Sequence, residues 1–279
     1  MTPTSYKSCA KVNLGLQIRN QRSDGYHNIN TIFHEIDFHD LITINKRNTG
    51  CEFSSNVKWL KNDNTNLCVK AWRLMVETYG IGGIDINIKK NIPTGGGLGG
   101  GSSNAAAILN TLNQIYDLKI QNNELLKLAS KLGADVPFFI NGGLQAGDGI
   151  GNKLTRLDRR CDWVYLLVMP DIKIDTTWAY KEKKFFLDSP IKKTKFASFI
   201  QKENIPFEFF DNDFEAIVFP AYPEIGQIKD KLRHHGARFS SLSGSGSTVY
   251  GIFDEDADIN AAESFFSSQY KTIISRPHF

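Results

Sequence analysis

The sequence has no apolar run long enough to cross a lipid bilayer. Its longest apolar stretch, residues 163–169, falls far short of the roughly 20 residues that a membrane-spanning helix needs. The first residues also lack the continuous apolar segment of a secretory signal. We therefore expect a cytoplasmic protein that has no membrane partner.

Cysteine is scarce and lacks the spacing of a metal site. The four cysteines, at positions 9, 51, 68 and 161, form no CxxC pair. In a chain of 279 residues, an even number of cysteines is weak support for disulfides. We predict free thiols that pack as small apolar side chains.

A strong excess of one charge is also missing, since the formal net charge is +3. Such a small charge does not by itself indicate a nucleic-acid partner. The lysine-rich residues 181–195 have no aromatic spacing suited to base stacking, so an exposed loop is favoured there over a nucleic-acid patch.

The composition is typical of a globular protein. Hydrophobic residues make up 41% of the chain and charged residues 23%, which excludes a largely disordered chain. The length favours two modest domains over a single large one. Because the polar run at residues 157–162 separates two halves, we predict an N-terminal domain over residues 1–153 and a C-terminal domain over residues 154–279.

Hydrophobic periodicity predicts an α+β chain. Residues 41–46 and 84–89 alternate apolar and polar side chains, as strands with one exposed face do. Residues 66–79 carry apolar side chains at helical spacing and precede Gly80, a natural helix terminator. Further helices are predicted at residues 104–118, 123–132, 224–233 and 257–266, and further strands at residues 164–169 and 248–253.

The most informative segment is rich in glycine, since residues 95–101 contain six glycines and Leu98. It lies between a predicted strand and a helix that begins near Ser102. So many glycines are unfavourable in backbone entropy unless the loop needs positive φ angles or close backbone approach. Phosphate binding requires both, because backbone N–H groups and a helix N-terminus must converge on the anion. A hinge or a tight turn would explain fewer of these residues.

Two other phosphate-binding loops fit poorly. Residues 95–100 match the dinucleotide pattern GxGxxG, but no strand that ends in an acid follows at the required distance, and Asp117 lies inside the predicted helix. A Walker A loop needs lysine directly after its last glycine, whereas Ser102 follows Gly101. A nicotinamide-dependent oxidoreductase is therefore a distant alternative.

The loop resembles the signature of the GHMP kinases, Pro-x-x-x-Gly-Leu-Gly-Ser/Gly-Ser-Ser-x-Ala-Ala. Segments at residues 10–14, 24–27, 132–139 and 243–248 are also similar to that family, so the resemblance spans nearly the whole chain. It implies a two-domain α+β fold with a glycine-rich phosphate loop between a strand and a helix, and it implies ATP and Mg²⁺ as cofactors. The signature is matched at Pro93, Gly97, Leu98, Gly99, Ser102, Ser103, Ala105 and Ala106.

The resemblance also implies a catalytic pair, with Asp135 as the base and Lys11 as its electrostatic partner. Phosphoryl transfer to an alcohol needs a proton acceptor and cations that offset the charge of the transferring group. On the residues alone, a structural salt bridge or a helix cap is the favoured explanation of Asp135, and the resemblance reverses this preference. Period two places Lys11 and Asn13 on one face of a strand, and Asn13 is implied to lie near the acceptor end of the substrate.

The nucleotide site follows from the same resemblance. It places the adenine near Asn66 and Leu67 and brings Lys90 close to the ATP, although a solvated strand end would also explain this lysine. The metal ligands are left open, since Ser102 or Ser103 could serve a phosphate oxygen or Mg²⁺. The implied ATP-binding residues of the loop are Pro93, Gly95, Gly96, Gly97, Leu98, Gly99, Gly100, Gly101, Ser102 and Ser103.

Within the family, the flanking segments are similar to the branch that phosphorylates the 2-hydroxyl of diphosphocytidyl-methylerythritol in isoprenoid precursor synthesis. Such a substrate needs aromatic faces for its base and hydrogen-bonding groups for the base edge. The resemblance assigns these roles to Tyr26, His27 and Tyr180, and a substrate contact to Thr176. On the residues alone, His27 could be a surface or packing residue and Tyr180 a core residue. Rival functions are a homoserine or mevalonate-type kinase and a non-catalytic nucleotide-binding regulator.

Overall fold

The computed structural model describes residues 4–182 and 196–279. Contacts group these residues into two compact units that alternate along the chain. The first contains the described residues up to Ala10, Phe38–Thr94 and Gly99–Gly142, and the second contains Lys11–Asp37, Gly95–Leu98 and the described residues of Gly143–Phe279. Because no single cut separates these units, the domain division after residue 153 stays a prediction.

The paired strands β2 (His27–Arg47) and β4 (Gly83–Lys89) share a buried face in the first unit. Strand β1 (Thr4–Gln21) pairs with β2, and the second half of β2 runs antiparallel to β4. Strand β3 (Cys51–Ser55) lies parallel to β4. Cross-strand isoleucine pairs are buried on this face, and they confirm the strands predicted at residues 41–46 and 84–89.

Four helices follow in the first unit among the described residues: α1 (Leu67–Tyr79), α2 (Gly100–Ile115), α3 (Asn122–Leu132) and α4 (Phe138–Asn141). The α1 helix ends as predicted at Gly80, which has a φ of 64°. The α2 helix begins at Gly100, earlier than the predicted start near Ser102, because the two glycines after Gly99 adopt helical conformation and Gly100 packs against Ile92.

In the second unit, the first half of β2 pairs with β5 (Leu144–Asp148), which pairs with β6 (Lys153–Arg156). A four-stranded antiparallel sheet has the order β10-β7-β9-β8. Strand β7 is buried along its whole length because neighbours cover both of its edges and helices pack on the sheet. The strands of this four-stranded sheet are β7 (Val164–Met169), β8 (Phe239–Leu242), β9 (Val249–Phe253) and β10 (Lys271–Ser275).

Two of the helices described in this unit were predicted from the sequence, and the others were not. The predicted helices at residues 224–233 and 257–266 are confirmed within about two residues, which is the usual uncertainty of helix ends. The loop predicted at residues 181–195 lies outside the described residues except for the last two residues of α5. The helices are α5 (Thr176–Glu182), α6 (Phe196–Ile200), α7 (Glu215–Ala221), α8 (Pro223–His234) and α9 (Ile259–Ser267), with a short 3₁₀ helix at Phe207–Phe209.

The core also accommodates polar and sulfur-containing side chains. None of the four cysteines forms a disulfide, and three of them are buried, as predicted for small apolar side chains. His34 is fully buried, and its Nδ1 atom lies 2.7 Å from the hydroxyl of Tyr165. Burial lowers the pKa of His34 to about 3, because the charged imidazolium is poorly solvated in the core.

Among the helices of the described residues, none combines the length and apolar content that a bilayer crossing requires.

Candidate active site

The glycine-rich loop uses the conformational freedom that its composition predicted. Gly95, Gly97 and Gly99 have φ angles of 74°, 74° and 70°. At Gly97 the space is also restricted, since a Cβ atom there would lie 1.9 Å from the carbonyl oxygen of Ser243. Glycine is therefore required at residue 97 for two separate reasons, a left-handed backbone and a close approach.

Helix α2 begins directly after this loop with an N-terminus suited to an anion. Its N-cap is Gly99, which has no side chain to bond the first-turn N–H groups, and the first turn contains no acidic residue. Ser102 is half-buried in this turn. Ser103 is buried, and its hydroxyl lies 2.7 Å from the hydroxyl of Ser8. The two adjacent serines thus have different surroundings.

Lys11 is held at the glycine loop by contacts within the second unit. Its side chain is buried, at 3% exposure, and its Nζ atom donates to Asn13 Oδ1 at 2.5 Å and to the Gly97 carbonyl at 2.8 Å. Asn13 in turn donates to the Thr31 hydroxyl at 3.0 Å. The contact between Lys11 and Asn13 confirms that the two side chains share a face of β1. The ammonium group is positioned by fixed acceptors on both sides.

The C-terminal glycine motif at residues 243–248 contacts the same loop. The Ser243 hydroxyl donates to the Gly97 carbonyl at 2.9 Å, and the Thr248 N–H donates to the Gly96 carbonyl at 3.3 Å. Asn212 also fixes the motif, because its Nδ2 atom donates to the carbonyls of Leu242 and Gly244 at 2.8 and 2.9 Å. The Gly97 carbonyl therefore accepts from both Lys11 and Ser243.

Asp135 lies in the turn between α3 and α4. The turn is closed by backbone bonds from Gly133 to Ala129 and from Val136 to Gly133. Asp135 itself is half-buried, whereas the residues that follow it, from Val136 to Ile140, are buried. Asp135 belongs to the first unit and Lys11 to the second, so their pairing stays a prediction.

The residues predicted near the adenine begin α1. Asn66 is its N-cap, where Oδ1 accepts from the Cys68 N–H at 2.9 Å and Nδ2 donates to the Lys61 carbonyl at 3.0 Å. Leu67 packs near α2, since a Cβ atom on Gly101 would lie 3.9 Å from its Cδ1 atom. Asn66 therefore has a structural explanation of its own, and its contact with adenine stays a prediction.

Lys90 is not a solvated strand end. Its side chain is 6% exposed and its ammonium bonds the carboxylate of Asp40, which is fully buried. The sequence interpretation missed Asp40. A signal was present, because period two along β2 places Asp40 on the same face as the buried Phe38, Ile42 and Ile44. A contact between Lys90 and ATP stays a prediction.

A tight hairpin presents Tyr26. The Arg22 N–H donates to the Tyr26 carbonyl at 2.8 Å, Gly25 has a φ of 86°, and Asp24 Oδ1 accepts from the Tyr26 N–H at 3.1 Å. A hydrogen bond from the Arg22 guanidinium lowers the pKa of Asp24. The Tyr26 side chain is 59% exposed, so its ring is accessible to a ligand.

His27 and Tyr180, which are far apart in the sequence, stack on each other. Their ring centroids are 5.3 Å apart with an interplanar angle of 13°, and Tyr180 meets Phe214 edge-on at 4.9 Å. The Thr176 hydroxyl, one turn before Tyr180, lies 2.9 Å from the Ser245 hydroxyl. The structure therefore brings His27 and Tyr180 together and places Thr176 against the C-terminal glycine motif.

Comparisons with known proteins concern the chain as a whole. The family described as "GHMP kinases N terminal domain" matches residues 66–143, and "GHMP kinases C terminal" matches residues 201–272. A 4-diphosphocytidyl-2-C-methyl-D-erythritol kinase of Chlorobaculum tepidum is 40% identical over 96% of this chain and 95% of its own length.

Solved structures support the same similarity. A crystal structure of 4-(cytidine 5'-diphospho)-2C-methyl-D-erythritol kinase is 30% identical, covers 99% of this chain and 100% of its own, and has a TM-score of 0.83. The mevalonate kinase of Methanococcus jannaschii covers 100% of this chain and 99% of its own with a TM-score of 0.74. Its sequence identity is 16%, so it supports the fold alone. These matches confirm the predicted α+β fold class.

Proposed function

This chain belongs to the GHMP kinase family, and we propose that it transfers the γ-phosphoryl group of ATP to the 2-hydroxyl of 4-diphosphocytidyl-2-C-methyl-D-erythritol, a step of the methylerythritol phosphate route to isoprenoid precursors. The main support is similarity to kinases of that name over nearly the whole length of both chains. The stacked pair His27 and Tyr180, together with the exposed ring of Tyr26, adds support because a pyrimidine needs aromatic faces and an edge donor.

In this proposal the ATP phosphates lie on the glycine loop and on the first turn of α2. The positive φ angles at Gly95, Gly97 and Gly99 orient backbone N–H groups, and the first turn adds the helix dipole. Leu67 is proposed to lie against the adenine. Asn66 is proposed to lie near the adenine as well, and its side chain fixes the start of α1.

The proposed chemistry assigns one role to each of two residues. Asp135 accepts the proton of the 2-hydroxyl, and its half-buried position in a turn leaves it accessible to a substrate. Lys11 offsets the negative charge that develops during transfer, and its contacts with Asn13 and Gly97 fix the direction of its ammonium. Asn13 is proposed to contact the methylerythritol part of the substrate.

Mg²⁺ is proposed as the cofactor because it neutralises the charge of the ATP phosphates in kinases. Ser102 is partly exposed in the first turn of α2, so its hydroxyl fits a phosphate oxygen or the ion. The Ser103 hydroxyl fits less well, since it is hydrogen-bonded to Ser8 in the core. A cytoplasmic location is also part of the proposal, and four cysteines without a disulfide fit a reducing compartment.

The test is acceptor choice. Purified protein with Mg²⁺ and ATP is given the cytidyl diphosphate substrate, homoserine or mevalonate, and ADP release is followed together with phosphorus NMR of the product. We expect ADP and a new phosphate ester with the cytidyl substrate and with neither of the other two acceptors, and we expect a much slower reaction from the Asp135→Asn control. Turnover of homoserine or mevalonate instead would refute the substrate assignment. ATP binding without any turnover would support a non-catalytic regulator.

A further inference from the structure

One carboxylate of the first unit accepts hydrogen bonds from four donors. Asp40 has no exposed surface. Its Oδ1 atom accepts from the N–H groups of Asn91 and Ile92 at 2.7 and 2.9 Å. Its Oδ2 atom accepts from Asn104 Nδ2 at 2.9 Å and from the ammonium of Lys90. A buried charge is stable only when it is bonded in this way.

These donors lie on both sides of the glycine loop in the sequence. Asn91 and Ile92 directly precede the loop, and Asn104 belongs to the first turns of α2. Asn104 Nδ2 also donates to the Ser8 hydroxyl at 3.0 Å, and Ser8 bonds Ser103. Asp40 thereby joins the segment that enters the loop to the helix that leaves it.

Lys90 lies under the first residue of α2. A Cβ atom on Gly100 would lie 2.9 Å from the Lys90 ammonium and 2.8 Å from Ile92 Cγ2. The backbone of Lys90 is fixed as well, because its N–H donates to Asn56 Oδ1 at 2.6 Å and its carbonyl accepts from Asn56 Nδ2 at 3.2 Å. The lysine is therefore packed between a counter-ion and the helix start.

We propose that Asp40 is a positioning residue for ATP, which sets the start of α2 through Lys90 and Asn104. In this proposal Lys90 is the counter-ion of Asp40 and packs against Gly100. It does not bind a phosphate itself. This inference rests on the proposed function, since it concerns the nucleotide that the loop and α2 would bind. Backbone donors hold a phosphate only when they are fixed in advance, and a displacement of about 1 Å can reduce turnover by roughly a hundredfold.

The first experiment is Asp40→Asn, studied by calorimetric titration with ATP and by steady-state kinetics. We expect the dissociation constant and the KM for ATP to rise roughly 10- to 100-fold. Asparagine keeps one acceptor oxygen for Asn91 and Ile92 but has an amide NH₂ group where Lys90 and Asn104 need an acceptor, so the start of α2 is no longer held in place. The KM for the cytidyl substrate should not change. The control is Ile44→Ala on the same strand, which lowers thermal stability through lost core packing and should leave the KM for ATP as it is in the wild type.

A second comparison separates the two roles of Lys90. In the double variant Asp40→Asn with Lys90→Met, ATP affinity should be no lower than in Asp40→Asn alone, because the lysine acts through the same carboxylate. Additive losses would show a direct phosphate contact and overturn the inference. If Asp40→Asn does not fold, Asn104→Ala keeps the ion pair, and an unchanged KM for ATP in that variant would also overturn it.

Failure of the proposed function gives different results. If the chain is not an ATP-dependent kinase at all, the wild-type protein itself does not bind ATP in the titration, and if only the substrate assignment fails, the acceptor assay shows it while the wild type still binds ATP. Wild-type binding together with equal binding by Asp40→Asn would refute only the positioning role.

Discussion

Replacing Gly97 by alanine should impair the protein far more than replacing Gly95, although both glycines have a φ of 74°. The two variants share the left-handed backbone and differ in what the new methyl group meets. At Gly95 a Cβ atom has no heavy atom within 4 Å, whereas at Gly97 it would lie 1.9 Å from the Ser243 carbonyl oxygen. The pair therefore separates backbone strain from steric overlap.

The magnitudes follow from the contacts. A left-handed alanine is destabilised by about 1–2 kcal/mol, and this strain is all that Gly95→Ala should suffer. At Gly97 the two backbones must separate by at least about 1 Å to reach an allowed distance. That shift weakens the bonds of the Gly97 carbonyl with Lys11 at 2.8 Å and with Ser243 at 2.9 Å. The hydroxyl bond contributes about 1 kcal/mol and the charged bond about 1.5–3 kcal/mol. Together with the backbone strain, Gly97→Ala should lower the free energy of unfolding by about 3–6 kcal/mol.

Urea unfolding and initial rates measure the difference. We expect Gly95→Ala to have a slightly lower unfolding midpoint and measurable turnover. Gly97→Ala should have a much lower midpoint, and where it still folds its kcat should fall because the ammonium of Lys11 loses a fixed acceptor. Equal stability losses in the two variants would refute the close approach between Gly97 and Ser243. A loss of stability in Gly97→Ala with unchanged kcat would refute the link to Lys11.

Further predictions concern catalysis, base recognition and pH. Asp135→Asn should lower kcat by roughly 10²- to 10⁴-fold while ATP still binds, since the amide cannot accept the proton, and near-normal turnover would contradict the assignment. Lys11→Met should lower kcat, and an effect on KM alone would make Lys11 a binding residue. Tyr180→Ala should raise the KM for the cytidyl substrate and lower kcat/KM roughly 10- to 100-fold through the loss of stacking, with ATP affinity unchanged as the control. His27→Ala should weaken discrimination between cytidyl and uridyl substrates, and a change in ATP affinity instead would show that the pocket is misassigned. Burial lowers the pKa of His34 in the folded protein to about 3 from its ordinary value of 6.5, so the neutral imidazole contributes its full stability above pH 6.5, and this stability is lost as the pH falls towards 3. The free energy of unfolding should therefore fall by about 2 kcal/mol between pH 7 and 5 because of this one residue. In the His34→Gln variant, this part of the pH dependence should be absent.

Much of the fold followed from local pattern. Alternation in residues 41–46 and 84–89 predicted strands, because a strand with one buried face must alternate. Helix α1 begins after Asn66 and ends before Gly80. An N-cap side chain and a left-handed glycine set helix ends through local contacts, which do not depend on tertiary packing. The start of α2 at Gly100 was missed, because two glycines carry no helical signal and their conformation depends on packing against Ile92.

The candidate site was accessible from the sequence where its chemistry is local. The density of glycine at residues 95–101 predicted positive φ angles, and period two placed Lys11 beside Asn13. The family resemblance supplied the roles of residues such as His27 and Tyr180, which have no pattern of their own.

The tertiary structure decided which distant groups meet. The sequence by itself determined that residue 97 needs freedom of φ, but only the fold places the Ser243 carbonyl where a side chain would stand. Likewise, alternation puts Asp40 on a buried face, whereas its bond with Lys90, 50 residues later, depends on how β2 pairs with β4. The physical reason is that backbone periodicity acts within a few residues, while a buried charge is satisfied only by partners that chain topology brings to it.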